Sequence, residues 1–172
     1  GGYNEEHNVS LNTAKEVAKS LKKLKLHHKT LTVDPLTFNK DISRFSKDYI
    51  CFNALHGTFG EDGKIQKILK KNKFRVTHSN YKSSFNCFNK IESKKIINKY
   101  RISTPLYKLV KCSDINRIFL ENIKKKFQKF VLKPVCSGSS HGLKIIRSKK
   151  DLKNLNDELK DYKNNFDDKE QF

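Results

Sequence analysis

The chain is 172 residues long with 35% hydrophobic residues, enough for one large or two small domains with an ordinary core, which excludes a disordered chain. Its net charge of +19 raises nucleic acid as a partner, because lysine-rich surfaces gain affinity by neutralising phosphate. Arginine occurs only at positions 44, 75, 101, 117 and 147, and the lysines are spread over every predicted helix, so a basic nucleic-acid-binding module is kept only as the lesser alternative.

Gly1-Gly2 predicts a turn that leads into a helix, whose apolar positions Leu11, Ala14, Val17, Ala18, Leu21 and Leu24 form one face. Glu5 and Glu6 stand where the helix dipole favours acid, which is a sufficient structural reason for them at this level. The alternation over 29–33, stopped by Asp34-Pro35, predicts a short strand. A polar connector follows, then a buried strand over 49–55. The stretch Leu55-His-Gly-Thr-Phe-Gly-Glu-Asp-Gly-Lys-Ile-Gln66 joins that strand to an amphipathic helix carrying Ile65, Ile68 and Leu69. Its glycines free the backbone, and Asp62 can cap the helix. At the carboxyl end of a strand, such a turn presents His56 and Glu61 to a ligand crevice; the alternative is a solvated loop with one capping carboxylate. A strand over 74–77 completes the alternation of a small, mostly parallel α/β domain.

From Ser83 the apolar residues Phe85, Phe88, Ile91 and Ile96 predict one helix to about Tyr100, broken by Thr104-Pro105. Strands are predicted over 106–110, 130–135 and 143–146, with a helix containing Ile115, Ile118, Phe119 and Ile123 between the first two. The last two strands make an antiparallel hairpin, with Lys133 on its first arm and Gly138, Ser139, Ser140 and Gly142 at its tip. Small residues there offer N–H groups and hydroxyls to an anion such as phosphate, although a mobile Ser/Gly turn accounts for them equally at this level. A helix from Lys149 runs into a polar tail that stops at Phe172 with no closing element. That ending, the absence of Met and the opening Gly1-Gly2 give the expectation of a fragment.

Cys51, Cys87, Cys112 and Cys136 form no CxxC pair and carry no zinc signature. Cys51 and Cys136 adjoin apolar runs, which predicts buried, reduced thiols in a cytoplasmic protein. No apolar run approaches the ~20 residues of a membrane span, so no membrane partner is expected.

Three segments together resemble the D-alanine–D-alanine ligase family: Gly1-Gly2-Tyr-Asn-Glu-Glu6-His-Asn-Val-Ser-Leu11, residues 54–66, and Val131-Leu-Lys133-Pro-Val-Cys-Ser-Gly-Ser139-Ser140-His-Gly142. Lys90, after Phe88-Asn89, and Ile102-Ser-Thr-Pro105 also fall where such ligases carry a lysine and an IPTP-like turn. The resemblance implies an α/β fold: a substrate domain over 1–82 lacking its first strand, then part of an α+β ATP-grasp domain over 83–172. It implies ATP-dependent, ADP-forming joining of two D-alanines through an acyl phosphate for peptidoglycan precursors; the alternative within this class takes D-lactate as second substrate. By the same resemblance, Glu6 receives the ammonium group of the first D-alanine, with Ser139 as its hydrogen-bonded partner and His56 nearby. Lys90, Lys133, Ser139 and Ser140 contact ATP phosphates. ATP with magnesium or manganese, metal ligands beyond Phe172, a homodimer at full length and inactivity of the fragment alone complete the expectation. The chain departs from the family at His78, where glycine is usual and a strained turn is expected, at Ser137, where an acidic residue is common, and at Tyr3.

Overall fold

The computed structural model describes residues 3–172; the turn predicted at Gly1-Gly2 lies outside the described residues. Two compact α/β units divide the chain, one ending at Ser93 and the other beginning at Lys94.

In the first unit, helix α1 (His7–Lys23) follows the predicted 3.6-residue pattern and carries Lys22 and Lys23 in its last turn, where the helix dipole favours cations. Its apolar face is only shallowly covered. Ser10 is its buried residue, Val17, Ala18 and Leu21 are half-buried, and Leu11 is exposed. The strand predicted over 29–33 does not form: Leu31 and Val33 pack on the core, but their backbone joins no ladder. Asp34 instead turns the chain straight into a helix, its Oδ1 accepting from the Leu36 N–H at 2.9 Å and its carbonyl from the Phe38 N–H at 2.8 Å. That helix, α2 (Phe38–Ser43), occupies the predicted polar connector and buries Phe38 and Ile42.

Strand β1 (Ile50–Cys51) pairs in parallel with β2 (Arg75–Val76), Ile50 opposite Arg75 and Cys51 opposite Val76. Helix α3 (Lys64–Lys71) forms the crossover between them and buries Ile65, Gln66 and Leu69. β1 is shorter than the predicted run because Asn53 folds back on the chain. Its Oδ1 accepts from the Leu55 N–H at 3.1 Å and its Nδ2 donates to the Gly60 carbonyl at 2.8 Å. Phe38, Ile42, Ile65, Leu69 and Phe74 make the core.

The one helix predicted from 83 to 100 is two, α4 (Tyr81–Phe88) and α5 (Lys90–Lys99). Asn89 breaks it: its backbone is extended, and its Oδ1 accepts from the Ile91 and Glu92 N–H groups at 3.0 and 3.1 Å, capping α5. His78 keeps a negative φ, so the strain expected of a glycine position is absent there.

In the second unit, the strand predicted over 106–110 joins no ladder of its own. The chain end supplies the pairing instead. Val110 N–H donates to the Phe172 carbonyl at 3.1 Å, Phe172 N–H returns to Val110 at 2.9 Å, and Val135 N–H donates to Gln171 at 2.8 Å. The tail is therefore closed, contrary to expectation, because Phe172 is apolar and enters the core with Cys112, Ile115, Leu120, Leu132 and Ile146. Helix α6 (Arg117–Phe127) starts after the fully buried Ile115 and is capped by Asn116. Strands β3 (Phe130–Leu132) and β4 (Lys144–Ile146) form the predicted antiparallel hairpin, with Val131 opposite Ile145. Helices α7 (Lys149–Asp157) and α8 (Leu159–Lys163) complete the unit.

None of the four cysteines is in a disulfide. Cys112 is the buried one and Cys51 is half-buried, whereas Cys136, predicted buried, is exposed because β3 ends before it and it lies on the hairpin loop. Among the described residues no helix is long and apolar enough to cross a membrane.

Candidate functional site

The parallel pair β1–β2 sets the turn 52–63 at its carboxyl end, and the amino-terminal end of α1 packs into that turn through polar side chains. Asn4 begins the bridge: its Nδ2 donates to the carbonyls of His56 and Thr58 at 3.1 and 2.9 Å, while its Oδ1 accepts from the Glu6 N–H at 2.8 Å. Ser10 makes the second tie, donating from Oγ to the Glu6 carbonyl and accepting from the His56 N–H, each at 3.0 Å. Glu6 and His56, predicted to act together, are thus brought together.

Glu6, the N-cap residue of α1 and read from the sequence as satisfying the helix dipole, is only 3% exposed. A carboxylate is costly to bury, so a solvent-facing dipole role does not account for it. It lies against Gly57. A Cβ at position 57 would come within 2.7 Å of Glu6 Oε2, and Gly57 has φ +72, so both the close approach and the left-handed backbone require glycine. Glu61 fixes the same turn, its Oε2 accepting from the Gly57 N–H at 2.8 Å. His56 is half-buried, with Nε2 2.9 Å from Thr13 Oγ1 and Nδ1 3.9 Å from Glu61 Oε1. The N-cap of α3 is Gly63 rather than Asp62, which stands one residue before it and accepts the Lys64 N–H at 3.0 Å.

Sequence reasoning passed over Asn4, Ser10 and Thr13. The signal was available for two of them: Glu6, Ser10 and Thr13 follow at spacings of four and three, one polar face of α1. Lys90 is half-buried at the first position of α5 in this unit.

The other predicted residues belong to the β3–β4 hairpin of the second unit. Lys133, Ser139 and Ser140 are exposed, and the two serines have φ of 44° and 62°, a conformation that costs energy in non-glycine residues. The loop base is held by aromatic rings. Tyr162 donates its hydroxyl to the Gly142 carbonyl at 2.7 Å, and Phe166 packs against both His141 and Tyr162. Gly142 has φ +66, and a Cβ there would collide with Phe166. Burial pushes the Tyr162 hydroxyl well above the ordinary tyrosine value, which keeps it a donor.

No family model matches the chain. A D-alanine–D-alanine ligase of Pelagibacter ubique is 42% identical over 159 residues, covering 90% of this chain and 51% of that protein. The D-alanine–D-alanine ligase of Bacillus anthracis in complex with ATP has a related structure, with a TM-score of 0.72 and 28% identity, covering 99% of this chain and 54% of that one. The chain belongs to the D-alanine–D-alanine ligase family. A Wolbachia D-alanine–D-alanine ligase, 36% identical, covers 90% of this chain and 45% of its own length. The chain thus spans about half the length of the curated relatives it matches. The fold of this ligase-family chain is α/β, as its elements indicate.

Proposed function

We propose that this chain is part of an ATP-dependent, ADP-forming D-alanine–D-alanine ligase serving peptidoglycan precursor synthesis. In this reaction ATP phosphorylates the carboxylate of the first D-alanine. The amine of the second attacks the acyl phosphate carbon, the C–N bond forms, the C–O bond to phosphate breaks, and the amine loses a proton. The observation that carries the reading is the buried Glu6 carboxylate against Gly57, beside His56, in a chain with this sequence kinship. A buried carboxylate suits an ammonium group, since ion pairing offsets its desolvation.

Glu6 receives the first D-alanine's ammonium group and His56 lies beside that substrate, while Ser139 acts from the hairpin loop of the second unit. Lys90, Lys133, Ser139 and Ser140 meet ATP phosphates, whose transfer depends on positioning and charge neutralisation. Residues 1–82 serve as the substrate domain and 83–172 as part of the ATP-grasp domain. Magnesium or manganese supplies further charge neutralisation when bound. Among the described residues no group of three His, Cys, Asp or Glu is placed to hold such an ion. The whole enzyme works as a cytoplasmic homodimer.

The test is titration of the ¹⁵N-labelled chain with D-alanine and with L-alanine. D-alanine should shift the amide signals of Glu6, His56 and Gly57, and Glu6→Gln should abolish the effect. Equal shifts with both enantiomers, or none with either, would contradict the reading.

A further inference from the structure

Thr13 and Glu61 flank His56 on its two sides, and neither is among the proposed substrate contacts. Thr13 lies on the face of α1 that carries Glu6 and Ser10, and its Oγ1 is 2.9 Å from His56 Nε2. On the other side of the ring, Nδ1 faces Glu61 Oε1 at 3.9 Å, while the second Glu61 oxygen is held by the Gly57 N–H. A neutral imidazole carries one proton, a carboxylate only accepts, and a hydroxyl can donate. The favoured arrangement therefore puts the proton on Nδ1, toward Glu61, and has the Thr13 hydroxyl donate to a bare Nε2.

We propose that Thr13 and Glu61 are positioning residues that hold the neutral His56 ring as its Nδ1–H tautomer. At 3.9 Å Glu61 orients this N–H without forming a hydrogen bond to it. The ring orientation fixed in this way is the one His56 presents beside D-alanine, a consequence that rests on the ligase reading. The His56 backbone is fixed separately by Asn4 and Ser10, so losing the Thr13 contact frees the ring while the turn stays folded.

The experiment is ¹⁵N-imidazole spectroscopy of the chain at about two pH units above the ordinary histidine value of ~6.5. His56 should show a protonated Nδ1 and a bare Nε2. Thr13→Val should shift it toward the Nε2–H form that free imidazoles prefer in water, Thr13→Ser should keep the native form, and Glu61→Gln should weaken the preference. In full-length ligase, Thr13→Val should raise KM for D-alanine by about 10-fold, with KM for ATP unmoved and recovery in Thr13→Ser. A wild-type Nε2–H spectrum would overturn the proposal. A Thr13→Val enzyme with unchanged D-alanine KM would overturn its substrate-facing half. Absence of D-alanine-dependent ADP release from the wild-type enzyme sinks the ligase reading instead, and the spectrum, which needs no substrate, still decides the tautomer.

Discussion

At Glu6 a charge is held where water scarcely reaches, so its replacement separates charge from shape. Glu6→Gln keeps the size and one acceptor but removes the charge an ammonium group would meet; we expect KM for D-alanine to rise about 10- to 100-fold in full-length ligase, with KM for ATP little changed. Gly57→Ala acts on the same spot from the other side. With φ +72 and a Cβ 2.7 Å from Glu6 Oε2, it should cost about 1–3 kcal/mol in a denaturant titration and weaken D-alanine binding together with stability. His78 supplies a pH dependence. Both ring nitrogens are buried with no hydrogen-bond partner, and burial pushes its pKa below the ordinary value, so the folded state resists protonation. The contribution is present above about pH 6.5 and is lost as pH falls through the folded value, because the unfolded chain then binds more protons. The denaturation midpoint should therefore fall as the pH drops below about 6.5, and His78→Phe should flatten the dependence. The glycines and His56 were legible in the turn itself, whereas Glu6, standing where a helix dipole favours acid, was singled out only by the family resemblance. Ser10 and Thr13 were legible only as a polar face with Glu6, and Asn4 not at all, because the partners of all three lie more than forty residues away in the chain.

Individual elements were legible where a periodic pattern ran long, as in α1, α3 and α6, and where the Ser/Gly tip separated two apolar runs, as in β3–β4. Three of the misses share one cause: a side chain replaced the backbone pairing that periodicity alone implies. Asn53 ends β1, Asn89 divides α4 from α5, and Asp34 turns the predicted strand into the start of α2. Helix α7 shows the same chemistry in a capping box. Ser148 Oγ accepts from the Asp151 N–H at 3.1 Å, and Asp151 accepts from the Ser148 N–H at 2.8 Å. Ser148→Ala should cost about 1 kcal/mol, read as a lowered thermal midpoint. The backbone N–H of Ser148 holds the Asp151 carboxyl below its ordinary value, so this box is intact above about pH 4 and is lost as pH falls further. At the hairpin, Tyr162→Phe removes the hold on Gly142. It should leave the unit folded while speeding amide exchange across 138–143, and unchanged exchange there would show that the ring packing of Phe166 suffices.

For the whole molecule, the +19 charge is the feature most open to misreading. Many lysines lie over aromatic rings in both units, such as Lys47 above Phe74 at 4.0 Å and Lys94 above Tyr107 at 5.0 Å. Charge used in this dispersed way should give only weak, sequence-blind binding to duplex DNA that disappears near physiological salt. The central claim is that Glu6 and the Gly57 turn form the D-alanine site of a ligase, and product formation tests it most directly. Full-length enzyme supplied with ATP, magnesium and D-alanine should release ADP and form D-alanyl-D-alanine in equal amounts, and Glu6→Gln should need far more D-alanine to reach the same rate. Wild-type ADP release indifferent to D-alanine, or a Glu6→Gln enzyme with the wild-type dependence on it, would contradict the account.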